Sequence, residues 1–176
     1  MKKLVIGLLL VLLTNGMLAH ADLPEWQVSP SVQKASTKWI DITVTPVLTE
    51  RYGIEVGYTG MVLEVRNKSN QDVMINWDET FYLMAGVRNG GFTLKGAQGK
   101  PHRGFDIVLS GETFVKTVYP VALLNIGDIS RLSDLQLDYM NKPMPIGENG
   151  IDIKVRVGFE AVQEKLTFKI SGKNPL

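Results

Sequence analysis

Cysteine is absent from all 176 residues. Its absence excludes a disulfide framework, a thiol nucleophile and thiolate metal sites. It also removes the residue a lipid anchor needs, because the position after the small-residue segment Ala19-His20-Ala21 is Asp22. Histidine is almost as scarce, with only His20 and His102, so zinc finds too few ligands. No basic cluster stands out, with 19 Lys and Arg spread among 18 Asp and Glu, and nucleic-acid binding needs a concentrated positive face. No apolar run reaches the roughly 20 residues that span a bilayer. The glycines at Gly90-Gly91 and Gly96 to Gly99 are followed by no Gly-Lys-Ser pattern, so no phosphate loop is expected. No metal or cofactor is expected.

What is present begins at the N-terminus. Lys2 and Lys3 precede an unbroken apolar run over residues 4–13, and Ala19-His20-Ala21 follows. That is the layout of a secretory signal peptide, expected over residues 1–21. Its removal leaves 155 residues, enough for one domain with a core of its own. Lys2 and Lys3 leave with it, so 17 basic residues face 18 acidic ones and the net charge turns from +1 to −1. The expected location is a Gram-negative periplasm, with secretion as the alternative. Residues 22–36 read as an extended leader, since Pro24 and Pro30 break any helix. Trp26 is the exception there, because a large aromatic tends to dock on the domain.

From residue 37 to 176 the pattern is that of a single β-domain. Ile40, Ile42 and Val44 alternate with polar neighbours, as do Met61, Leu63 and Val65. Pro46 confines its strand to an edge or an end. Asn67-Lys68-Ser69-Asn70 reads as a turn whose side chains satisfy their own backbone. Val73, Ile75 and Trp77 form the next strand, followed by Phe81 and Leu83 beyond Asp78-Glu79. Short strands are expected at Phe105, Ile107 and Leu109 and from Phe114 to Tyr119. Leu132, Leu135 and Tyr139 have helical spacing. Ile151 to Phe159 and Leu166 to Ile170 read as an antiparallel hairpin with charged outer faces. Seven or eight strands with little helix predict an all-β fold. The expected form is an immunoglobulin-like, two-sheet antiparallel β-sandwich, with a barrel as the alternative.

Gly60-Met61-Val62-Leu63-Glu64-Val65-Arg66-Asn67-Lys68-Ser69 is a strand running into an Asn-x-Ser turn. Val73-Met74-Ile75-Asn76-Trp77 and Leu109-Ser110-Gly111-Glu112-Thr113-Phe114 follow it. This stretch, about a third of the chain, resembles small exported bacterial domains of the FxLYD and LEA type. Phe81-Tyr82-Leu83-Met84 stands where that family has a Tyr-Asp pair. The resemblance implies an immunoglobulin-like sandwich acting as a binding or accessory domain in the cell envelope, and it brings no catalytic residues.

Catalytic constellations fare poorly. Ser110, His102 and Asp106 make a serine triad only on paper, because Ser110 lies in a Ser-Gly-Glu turn and lacks the nucleophile elbow. Asp78 and Glu79 are adjacent on a strand and point to opposite faces. Met140, Met144 and His102 offer soft copper ligands but suit core and loop positions better. The expectation is therefore a protein that binds another envelope protein and is not an enzyme. A carbohydrate-binding module or small envelope hydrolase is the alternative. Contacts are expected from the loop over residues 88–103 and from any free sheet edge. Arg88, Lys95, His102 and Arg103 are the candidate polar contacts and Phe92 the candidate apolar anchor.

Overall fold

A computed structural model describes residues 25–95, 99–124 and 141–172. The strands are β1 (Trp26–Ser29), β2 (Gln33–Ser36), β3 (Ile40–Arg51), β4 (Ile54–Asn67), β5 (Val73–Met84) and β6 (Val87–Arg88). They continue with β7 (Phe92–Leu94), β8 (Phe105–Val108), β9 (Thr113–Pro120), β10 (Gly147–Val157) and β11 (Glu160–Gly172). One sheet runs β1-β11-β10-β5-β6, with β8 also paired to β5, and the other runs β2-β3-β4-β9-β7. Every pairing is antiparallel. The chain is therefore the all-β, two-sheet antiparallel sandwich that the alternation implies. Its one helical element among the described residues is a 3-10 turn at Val121–Leu123. The helical spacing of Leu132, Leu135 and Tyr139 falls outside the described residues.

Alternation builds the core directly. Ile40, Ile42, Val44, Leu63 and Val65 of one sheet and Ile75, Ile151, Ile153, Val155, Phe168 and Ile170 of the other form one buried cluster. Each such side chain contributes about 1.5–3 kcal/mol by leaving water. The hairpin of β10 and β11 turns through Gly158 and Phe159, with Val157 facing Glu160.

The leader is not separate from the domain. Residues 26–29 pair with β11 and residues 33–36 with β3, so this segment supplies an edge strand to each sheet. Trp26 docks as its size implies. A Cβ on Gly57 would lie 3.2 Å from its ring, so only the bare backbone of β4 lets the indole settle there. Pro46 sits inside a twelve-residue strand. It lies beyond the stretch that β2 covers, on open edge, where its missing N–H costs no ladder bond. Asp152 departs from the expected wet face of the hairpin. It is fully buried, with one oxygen held by Gln163 at 2.7 Å and the other by Arg88 at 2.8 Å.

The Asn67 turn works as read. Asn67 Oδ1 accepts from the Ser69 N–H at 2.9 Å, and its Nδ2 donates to the carbonyls of Gln71 and Val108. Gly150 is the tightest point of the hairpin, since a Cβ there would sit 2.2 Å from the Leu166 carbonyl oxygen. Gly150→Ala is expected to lower stability by about 3 kcal/mol or more, because backbone rather than a flexible side chain must give way. Urea unfolding monitored by fluorescence measures this, and a wild-type midpoint would contradict it.

Candidate binding site

A break in β5 shapes the surface. On β10, Asp152 pairs with Phe81 and Lys154 with Asn76, so Ile153 alone faces residues 77–80. The extra residues bulge from the ladder. Thr80 holds the bulge: its hydroxyl donates to the Asn76 carbonyl at 2.6 Å and accepts from the Lys154 N–H at 3.3 Å. Asn76 Oδ1 takes the Asp78 N–H at 3.2 Å. Bulges of this kind re-aim side chains beside binding sites.

The free side of β5 is covered in two places, by β8 against residues 73–76 and by β6 against residues 83–84. Between them lies a cleft of about 190 Å³, lined by Trp77, Asp78, Phe81, His102 and Arg103 among others. Asp106 is bonded to two of these lining residues. Trp77 Nε1 donates to Asp106 Oδ2 at 2.9 Å, and His102 Nε2 lies 3.1 Å from the same oxygen. The His102 ring meets Trp77 edge-on at 5.2 Å. Arg103 reaches Asp78 at 3.4 Å, an exposed pair that contributes little. Asp78 also accepts the Gly104 N–H at 3.1 Å.

The five candidate residues divide. His102 and Arg103 stand together on the cleft. Arg88 lies on β6, where its guanidinium sits over Phe81 at 4.7 Å and is committed to buried Asp152. Lys95 follows β7, and its backbone N–H donates to the Thr117 carbonyl at 3.1 Å. Phe92 is corrected outright: it is 1 % exposed and packs edge-on against Tyr82 at 6.3 Å, leaving no surface for a partner. Tyr82 is itself buried, which pushes its hydroxyl pKa far above the ordinary value, and that hydroxyl donates to Asn149.

The paper triad separates. His102 and Asp106 meet, but the Ser110 hydroxyl donates to the Ser69 carbonyl at 2.7 Å, so its proton is not aimed at His102. Met144 is core at 1 % exposure, and Met140 lies outside the described residues. Among the described residues no three His, Asp or Glu are placed to share a metal ion. Trp77 is 2 % exposed, while Trp26 and Trp39 are partly buried and packed on the core.

An exposed apolar row runs along β8 and onto the residue that follows it. Phe105, Ile107 and Leu109 are 51 %, 60 % and 50 % exposed, while Val108 between them is buried. The expected strand is there, but its apolar row faces out, because Asp106 and Val108 take the inward positions. Backbone parity reinforces this. Trp77 N–H donates to the Gly104 carbonyl, so alternation gives Asp106 and Val108 to the β5 ladder. The N–H and C=O groups of Phe105 and Ile107 are left pointing outward. Among the described residues no strand pairs with that edge.

No protein-family model matches the chain, and no curated protein or solved structure matches it either.

Phe92→Ala is expected to cost about 3–5 kcal/mol as a core cavity, read as a fall in melting temperature. An unchanged melting temperature would return Phe92 to the surface. Arg88→Ala strands the Asp152 carboxylate and is expected to cost about 2 kcal/mol, below the cost of a fully enclosed pair because Arg88 is half exposed. Adding Asp152→Asn is expected to return part of that loss.

Two outer carboxylates set an acid dependence. The Lys154 ammonium beside Glu79 holds its pKa below 4.5, and Lys68, helped by the Ser36 hydroxyl, holds Asp41 below 3.8. The folded state therefore releases these protons more readily than the unfolded state. Their contribution is full above the ordinary values and fades as the pH falls through the lowered ones. Unfolding midpoints at about pH 7 and about pH 3 are expected to differ less in Glu79→Gln than in wild type. An identical difference would show that the ion pair is silent.

Proposed function

We propose that this chain is an exported β-sandwich that binds another cell-envelope protein by taking one of its strands onto β8. One observation carries the reading: an edge strand with outward main-chain groups also displays Phe105, Ile107 and Leu109 to solvent. Stable sheets blunt their edges with lysine, proline or a covering loop. This edge is apolar instead, and an added strand gains ladder bonds and side-chain burial together. His102 and Arg103 stand at its N-terminal end and supply polar contacts beside it. The signal-peptide layout of residues 1–21 and the resemblance of residues 60–120 to exported envelope domains support a periplasmic setting. No catalytic step belongs to this reading. The carbohydrate alternative calls for a concave face of exposed tryptophan or tyrosine near carboxylates; Tyr52 is exposed beside Glu50 at the β3–β4 turn, but a single ring on a turn makes no such face.

The mature chain, immobilised and exposed to periplasmic extract, tests this directly. A stoichiometric protein partner is expected, lost with Ile107→Lys and kept with Ile54→Ser, an exposed position at the β3–β4 turn of the other sheet. Equal capture by both variants, or retention on a glycan resin with no protein partner, would contradict the reading.

A further inference from the structure

We propose that, without a partner strand, β8 pairs antiparallel with β8 of a second copy of this chain about a two-fold axis through Ile107. The inference rests on the edge reading above and names what occupies that edge at rest.

The strand is self-complementary. Antiparallel pairing centred on Ile107 sets Ile107 against itself and Phe105 against Leu109 of the other copy. The three half-exposed apolar side chains of each copy then merge into one six-residue cluster on a single face. The hydrogen-bond parity agrees. Ile107 presents outward N–H and C=O groups, so the two Ile107 residues exchange a pair of ladder bonds across the axis. Charge agrees as well. Asp106 comes to lie opposite Val108, so no carboxylate meets another. Centring the pair on Asp106 instead would set two carboxylates face to face. At the strand ends, Arg103 and His102 of one copy approach the end that carries Glu112 of the other. The operation is closed, so it ends at a dimer and builds no fibre.

Size sets the strength. Two strands of four or five residues bury far less than the roughly 1,200–2,000 Å² of a stable interface. The dimer therefore dissociates on dilution and yields its edge to a partner strand that buries more. The pairing shields an apolar edge until that partner arrives.

Sedimentation velocity of the mature chain over a dilution series tests the proposal. A dimer at high concentration and a monomer on dilution are expected. Ile107→Lys, which sets like charges across the axis, is expected to abolish the dimer. Phe105→Lys and Leu109→Glu are each expected to weaken it, and the two together are expected to restore it, because the paired positions then carry opposite charges. All three positions are at least half exposed, so the fold is retained, and an unchanged circular-dichroism spectrum checks this. A monomer at every concentration, a dimer untouched by Ile107→Lys, or a double variant that stays monomeric would overturn the pairing. A chain that never dimerises yet captures a partner strand removes this proposal and leaves the preceding one standing.

Discussion

Two alternating apolar faces, with Ile42, Val44, Leu63 and Val65 on one and Ile75, Ile153, Val155 and Phe168 on the other, close on each other without a covalent bridge. Chain connectivity is otherwise only loops and short edge strands, so this contact carries the cooperativity of the domain. It also dictates where polarity is tolerated inside. Asp152 is accepted at the sheet because Arg88 and Gln163 satisfy it. Thr49 and Thr59 are accepted as a hydroxyl pair at 2.6 Å. Both contacts join strands of one sheet, so they hold neighbouring strands in register rather than joining the two faces.

The same constraint generates the surface that the functional reading uses. On β8 the inward positions go to Asp106 and Val108. Trp77 Nε1 and His102 engage the carboxylate of Asp106 at the rim of the core, which fixes the strand's orientation and turns Phe105, Ile107 and Leu109 to water. Trp77 keeps the inward parity of Val73 and Ile75, and its N–H bond to the Gly104 carbonyl continues the β5–β8 register, which sets its indole beside that carboxylate.

Much of the architecture was legible because period two is a local signal. The strands around Leu63, Ile75, Phe114, Ile153 and Phe168 lie where alternation puts them. Missed elements share one cause, a residue whose local reading differs from its tertiary use. Gly57 carries no local signal, yet in β4 it makes room for the Trp26 ring. The leader reads as a tether because its strands are four residues long and borrow their pairing from β11 and β3. The surface proposed for binding was half legible. His102 and Arg103 were placed beside it, and a free edge was foreseen. Phe92 was mistaken for surface because its glycine-rich neighbourhood hides its pairing with Pro120. The β8 row could not be oriented from sequence, since Phe105, Ile107 and Leu109 alternate whichever way they face, and only the partners of Asp106 decide it.

Residue-resolved amide hydrogen exchange on the dilute, mature chain tests the central claim most directly. The account predicts slow exchange at Leu63, Val65, Ile151 and Val155, where both neighbouring strands are paired. On β8 it predicts a split between protected Asp106 and Val108, bonded into β5, and rapidly exchanging Phe105 and Ile107 on the open edge. Equal protection of all four β8 amides in the monomer, or fast exchange across the central strands, would contradict it.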